Sequence, residues 1–162
     1  MKTIAMKDFL SDHRSTEDLV HIQIEPDQVF FEEGREMNLL NFEFVVEGLT
    51  EKELSIRFIK AAAYDQAGEL LTFRHVNHNA VGVPGIHTTG KWTVNGKERF
   101  TLYNPFFRFP KNLPISYLRY MFTFRDAASR EEHYLGDIVV HPHFYQQEVQ
   151  LKVPLLGLST IL

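Results

Sequence analysis

Ser116-Tyr117-Leu118-Arg119-Tyr120-Met121-Phe122-Thr123-Phe124-Arg125 is the stretch whose reading decides the fold. Leu118, Tyr120, Phe122 and Phe124 recur at every second position, against Tyr117, Arg119, Met121, Thr123 and Arg125. Side chains alternate across a β-strand, so this spacing gives one apolar face to bury and one face that carries charge.

The same period recurs on both sides of it. Leu40 to Glu47 places Phe42, Phe44 and Val46 on one face, and Gly48 ends the run. Leu54-Ser-Ile-Arg-Phe58 sets Leu54, Ile56 and Phe58 against Ser55 and Arg57. That segment runs on through Ala61–Ala63 to Tyr64, turns at Asp65–Gly68 and returns along Leu70–Arg74, so 54–74 read as a β-hairpin. Asn95-Gly96, between Trp92–Val94 and Arg99–Tyr103, predicts a second hairpin. Leu19–Ile24, Val29–Phe31, His133–His141 and Val149–Val153 supply the remaining strand signals. The predicted core is Phe42, Phe44, Val46, Leu54, Ile56, Phe58, Leu118, Tyr120, Phe122, Phe124, Ile138 and Val140.

Short strands separated by turns, without helices between them, predict an all-β fold. The expected form is an antiparallel, immunoglobulin-like β-sandwich of about eight strands, with a β-barrel as the alternative. One domain over 19–154 is expected, preceded by an extension over 1–18 with room for a short helix and followed by a tail over 155–162.

Composition narrows the function classes. The 162 residues include 44% hydrophobic side chains, enough for a core without metal or disulfide support. Cysteine is absent, which excludes thiolate chemistry. A formal charge of −4 provides no basic footprint for nucleic acid. No apolar run is long enough to span a membrane, and Lys7 and Asp8 interrupt the apolar region a signal peptide needs. As written the chain reads as cytoplasmic; a leader removed beforehand would make it periplasmic.

Candidate chemistry is sparse. His133-Tyr-Leu-Gly-Asp137 and His141-Pro-His143 match, as strings, zinc-ligand signatures of lysostaphin-type endopeptidases. On a strand, residues four apart are separated by roughly 13 Å, whereas zinc–ligand bonds are about 2 Å. His133 and Asp137 therefore do not share an ion. His141 and His143 remain an alternative metal pair for a small hydrolase, lacking a third ligand. The loop histidines His75, His78 and His87 are read as turn residues. Nucleophile elbows and phosphate loops are missing, and Glu32-Glu33 and Glu131-Glu132 read as solvated charges. No cofactor and no enzymatic activity are expected.

Tyr103-Asn-Pro-Phe-Phe-Arg-Phe-Pro110 is the most suggestive segment. Tyr103, Phe106, Phe107, Arg108 and Phe109 form a candidate interaction face for a protein, peptide or glycan. Phe107, opposite in direction to Phe106, is expected to reach solvent beside Arg108. The competing reading makes Phe106 and Phe109 a lid on the core. A third function, a lipid or small-ligand carrier with an aromatic-lined interior, would be favoured by a barrel with a central cavity.

Phe100-Thr-Leu-Tyr-Asn-Pro-Phe106, Phe109-Pro110 and Leu113 to Phe124, ending in Leu118-Arg-Tyr-Met-Phe-Thr-Phe124, resemble a bacterial β-domain that precedes lysostaphin-type (LytM) peptidase domains. Leu151-Lys-Val-Pro-Leu-Leu-Gly157 is similar to the segment leading into that peptidase. The resemblance covers roughly residues 36–157. It implies a stand-alone relative or an excised N-terminal domain, a docking or positioning role, and a place at the cell envelope. The chain ends where the peptidase would begin, so no catalytic residue is carried over.

Overall fold

Twelve β-strands lie in residues 18–77 and 91–144, the residues that the computed structural model describes. Four of the twelve are short pieces, β2 (Phe30–Glu33), which the signal at Val29–Phe31 anticipates, and β3 (Met37–Leu40), β9 (Arg108–Pro110) and β12 (His143–Phe144), which add to the expected strands. The expected helix near the N-terminus and the strand at Val149–Val153 lie outside the described residues.

The long alternating segments build two facing sheets. β1 (Val20–Glu25), β4 (Glu43–Gly48) and β8 (Arg99–Tyr103) form one, in the order β1-β4-β8. β11 (Glu132–Val140), β10 (Tyr117–Asp126), β5 (Glu53–Tyr64) and β6 (Leu70–Val76) form the other in that order, and β7 (Thr93–Asn95) pairs with the start of β5. All pairings in both sheets are antiparallel. The four short strands make a third sheet, β12-β2-β3-β9, in which β12 runs parallel to β2. The fold is an all-β sandwich. Among the described residues the sheets do not close on themselves, so the alternative of a barrel is set aside.

Phe44 of β4 crosses the interior to meet Tyr120 and Phe122 of β10 edge-on, at 5.1 Å in each case. Such pairs contribute about 0.5–1.5 kcal/mol beyond the area they bury. Phe31, Leu40 and Phe109 of the third sheet are buried in the same core.

Bulges decide which side chains reach that core. Phe58 pairs with Thr123 but Ile56 with Phe124, so β5 carries one extra residue, Arg57. The extra residue swaps the faces beyond it. Ile59, Ala61 and Ala63 turn inward, and Phe58, expected in the core, is only half-buried on the outer side. β11 has an extra residue between Leu135 and Ile138, where Asp137 takes φ 58°. Ile138, also expected in the core, is half-buried and packs against its margin. A third shift, opposite Ala63 and Tyr64, falls at Leu71 of β6.

Asn95-Gly96 is a turn, but not the expected hairpin. It carries the chain from β7 in one main sheet to β8 in the other. Gly96 has φ 62°, and its N–H donates to the Lys52 carbonyl at 3.1 Å. Gly48 faces the Gly96 carbonyl so closely that a Cβ there would sit 1.9 Å from its oxygen. The local signal was sound; its partner strand lay in the other layer.

Candidate interaction face

The segment 103–110 leaves β8 and enters the third sheet through β9, and its residues part company on the way. Phe106 and Phe109 are 0% and 1% exposed and belong to the core. They are the lid of the competing reading, and neither ring is offered to a partner. Tyr103, at 65% exposed, stands beside Glu43 on the outer side of the three-stranded sheet. Arg108 is exposed beside Leu39 on the outer side of the third sheet, and Phe107 is half-buried between them in sequence.

Asn104 fixes this geometry. Its side-chain amide donates to the Leu40 and Phe106 carbonyls at 2.9 Å each, and its Oδ1 accepts from the Phe106 N–H at 3.1 Å. The Tyr120 hydroxyl completes the set by donating to the same Oδ1 at 2.9 Å. Burial pushes the Tyr120 phenol well above its ordinary pKa, so it stays a donor. Leu40 N–H also donates to the Phe107 carbonyl at 2.8 Å.

Arg74 clamps the other side of β9. Its guanidinium lies 4.4 Å from the Phe109 ring centroid and donates from Nη1 to the Arg108 carbonyl at 2.7 Å. Desolvation lowers its pKa, though a guanidinium remains charged. Neither Asn104 nor Arg74 was singled out from the sequence. Leu70–Arg74 alternates as if Phe73 were inward; the shift at Leu71 reverses this, sending Arg74 in and Phe73 out.

Among the described residues the histidines do not assemble. His141 lies beside Tyr117 at 5.7 Å and His143 beside Phe30 at 5.7 Å, so the two alternative metal ligands serve different rings. His133 is buried on the inner side of β11 opposite Phe124, whereas Asp137 bonds outward to Arg119 at 3.3 Å. His75 meets Phe58 edge-on at 6.2 Å. His78 and His87 lie outside the described residues. Glu132 is bonded to Arg125 at 2.7 Å, and Glu33 lies 3.9 Å from Lys111. Among the described residues no three His, Asp or Glu side chains converge on a common point.

No protein-family model matches the sequence, and no curated protein is similar to it. Solved structures similar in shape include the following two. The Northeast Structural Genomics Consortium target SoR45 matches with a TM-score of 0.50 and 10% identity, covering 80% of this chain and 89% of that one. The C-terminal domain of Wzt matches with a TM-score of 0.39 and 13% identity, covering 78% of this chain and 71% of that one. At such identities the first likeness speaks for the fold alone.

Proposed function

We propose that this chain is a non-catalytic docking domain of immunoglobulin-like type, which meets a protein partner through Tyr103, Phe107 and Arg108. The observation that carries this reading is the rigid footing of the segment. Phe106 and Phe109 are buried, Asn104 and Arg74 bond its backbone, and exposed Tyr103 and Arg108 project from it. An ordered segment loses little entropy on binding, and Tyr and Arg are favoured interface anchors. The strand order supports the immunoglobulin-like assignment, since β1-β4-β8 opposite β11-β10-β5-β6 matches the A-B-E and G-F-C pairings of that class. The resemblance to domains preceding LytM peptidases suggests a cell-wall peptidase as the partner to try first.

The test places a photocrosslinking amino acid at Tyr103 or Phe107, with Glu51 as an exposed control. Expected is a discrete crosslinked species at 103 and 107 that is missing at 51. Equal yields at all three positions would refute the assignment.

A further inference from the structure

The outer side of the five-stranded sheet differs from what its sequence pattern leads one to expect. Tyr117, Arg119, Met121, Thr123 and Arg125 read as a solvated face, yet Met121 and Thr123 are buried there, as are Ala62 and Tyr64 of β5. Rings roof this floor. Tyr64 and Tyr117 stack at 5.0 Å, Phe58 and His75 meet edge-on, and Arg119 lies 5.9 Å from the Tyr64 ring centroid. Register places Phe73, Ala62, Arg119 and Val139 in one row from edge to edge. At the ends of this row, Phe73 and Val139 remain 44% and 40% exposed.

Charge is distributed unevenly over the same face. Glu132 and Asp137 sit at the β11 margin, already bonded to Arg125 and Arg119. Glu53 stands at the far end of β5. Between them, on the central strand, lie Arg57 at the bulge and Lys60, which Glu132 attracts and whose Nζ lies 5.2 Å from the Phe58 ring centroid. Arg57 makes no ion pair among the described residues, and its Nε is buried without a hydrogen-bond partner. A cationic centre framed by the partly exposed Phe58, Phe73, Tyr117 and Arg119, in a chain of formal charge −4, has the composition of an interface core. We propose that this face docks a protein partner that presents carboxylates among apolar side chains, opposite Arg57 and Lys60. Four strands spaced at about 4.8 Å offer a flat footprint some 15–20 Å wide, which suits a small and reversible interface.

The test is an amide-resolved NMR titration of the full chain with three probes. They are a synthetic peptide alternating Glu and Leu, the same peptide with Lys for Glu, and polygalacturonate. The Glu peptide is expected to shift the signals of Phe58, Lys60, Phe73 and Met121. The double variant R57E/K60E should weaken its binding at least tenfold and turn the preference to the Lys peptide. F73S, at an exposed edge, should weaken binding severalfold and serves if the double variant does not fold. Phe107→Ser should leave the titration unchanged, which separates this face from the one at Tyr103–Arg108. Absence of shifts on this face, or binding indifferent to R57E/K60E and F73S, overturns the proposal. Shifts with polygalacturonate alone overturn it too, because the ligand would then be an anionic glycan.

Discussion

The Tyr120 hydroxyl donates to Asn104 Oδ1 inside the core, so a single side chain between β8 and β9 is held by the strand at the centre of the opposite sheet. The two partners are not equivalent. Tyr120 makes one hydrogen bond there, whereas Asn104 satisfies two carbonyls and an N–H as well.

Tyr120→Phe is accordingly expected to cost about 1–2 kcal/mol, and Asn104→Leu roughly 3 kcal/mol or more, because it strands several buried polar groups. Denaturant unfolding measures both. An Asn104→Leu variant less destabilised than Tyr120→Phe would show that Asn104 is not the hub.

Arg74→Ala should release β9 while leaving the main sheets in place. Loss of the bond to the Arg108 carbonyl and of the contact with the Phe109 ring is expected to cost about 1–2 kcal/mol. Hydrogen exchange should speed up across Arg108–Pro110 before it does in β10. Uniform acceleration throughout the protein would contradict a local clamp.

The bulge at Arg57 makes a comparative prediction. Phe122→Ala should cost about 3–5 kcal/mol, as expected for a large cavity. Phe58→Ala should cost less than half as much, since its ring is half-exposed on the outer side. Equal costs would mean that Phe58 is a core residue after all.

Asp126 should govern acid sensitivity at the β10–β11 turn. Its Oδ1 accepts from the Ala128 N–H at 2.9 Å, and Oδ2 lies 3.2 Å from Lys52 Nζ. The bond from Ala128, with help from Lys52, holds the carboxyl below its usual value of 3.8. A folded-state pKa below the unfolded one adds stability above the unfolded value and forfeits it as pH falls through the folded one. Melting temperatures of the protein and of Asp126→Asn should therefore differ at pH 7 and converge below about pH 4. A constant difference across that range would refute the role.

How much of this was legible beforehand depended on whether a residue acts within its own segment. Alternation in Ser116–Arg125 identified strand, face and core together, and Leu118, Tyr120, Phe122 and Phe124 are buried. It failed where an added residue shifts the register, because a bulge is a relation between two strands and neither sequence alone records it. Phe58 was misplaced for that reason, and the inward turn of Arg74 was not visible in its own segment. Asn95-Gly96 specified a turn and could not say which sheet each flank would join. In the candidate segment, opposite directions for Phe106 and Phe107 followed from period two. That Phe106 and Phe109 both point inward depends on Asn104, whose amide bonds the Leu40 carbonyl across the core, and on Arg74, which reaches β9 from β6.

The two margins of the five-stranded sheet share one device. β11 and β6 are its outermost strands, and each carries a register shift, at Asp137 and at Leu71. A regular outer strand presents an unbroken row of amide and carbonyl groups that any other extended chain can match, which is how sheets grow into aggregates. An inserted residue breaks that row and twists the strand away, and Asp137 adds a charge at the break. The sheet is thereby closed to further strands without being closed into a cylinder. A chain carrying exposed Phe73 and Val139 at those margins can thus leave its broad face open and still resist running copy into copy.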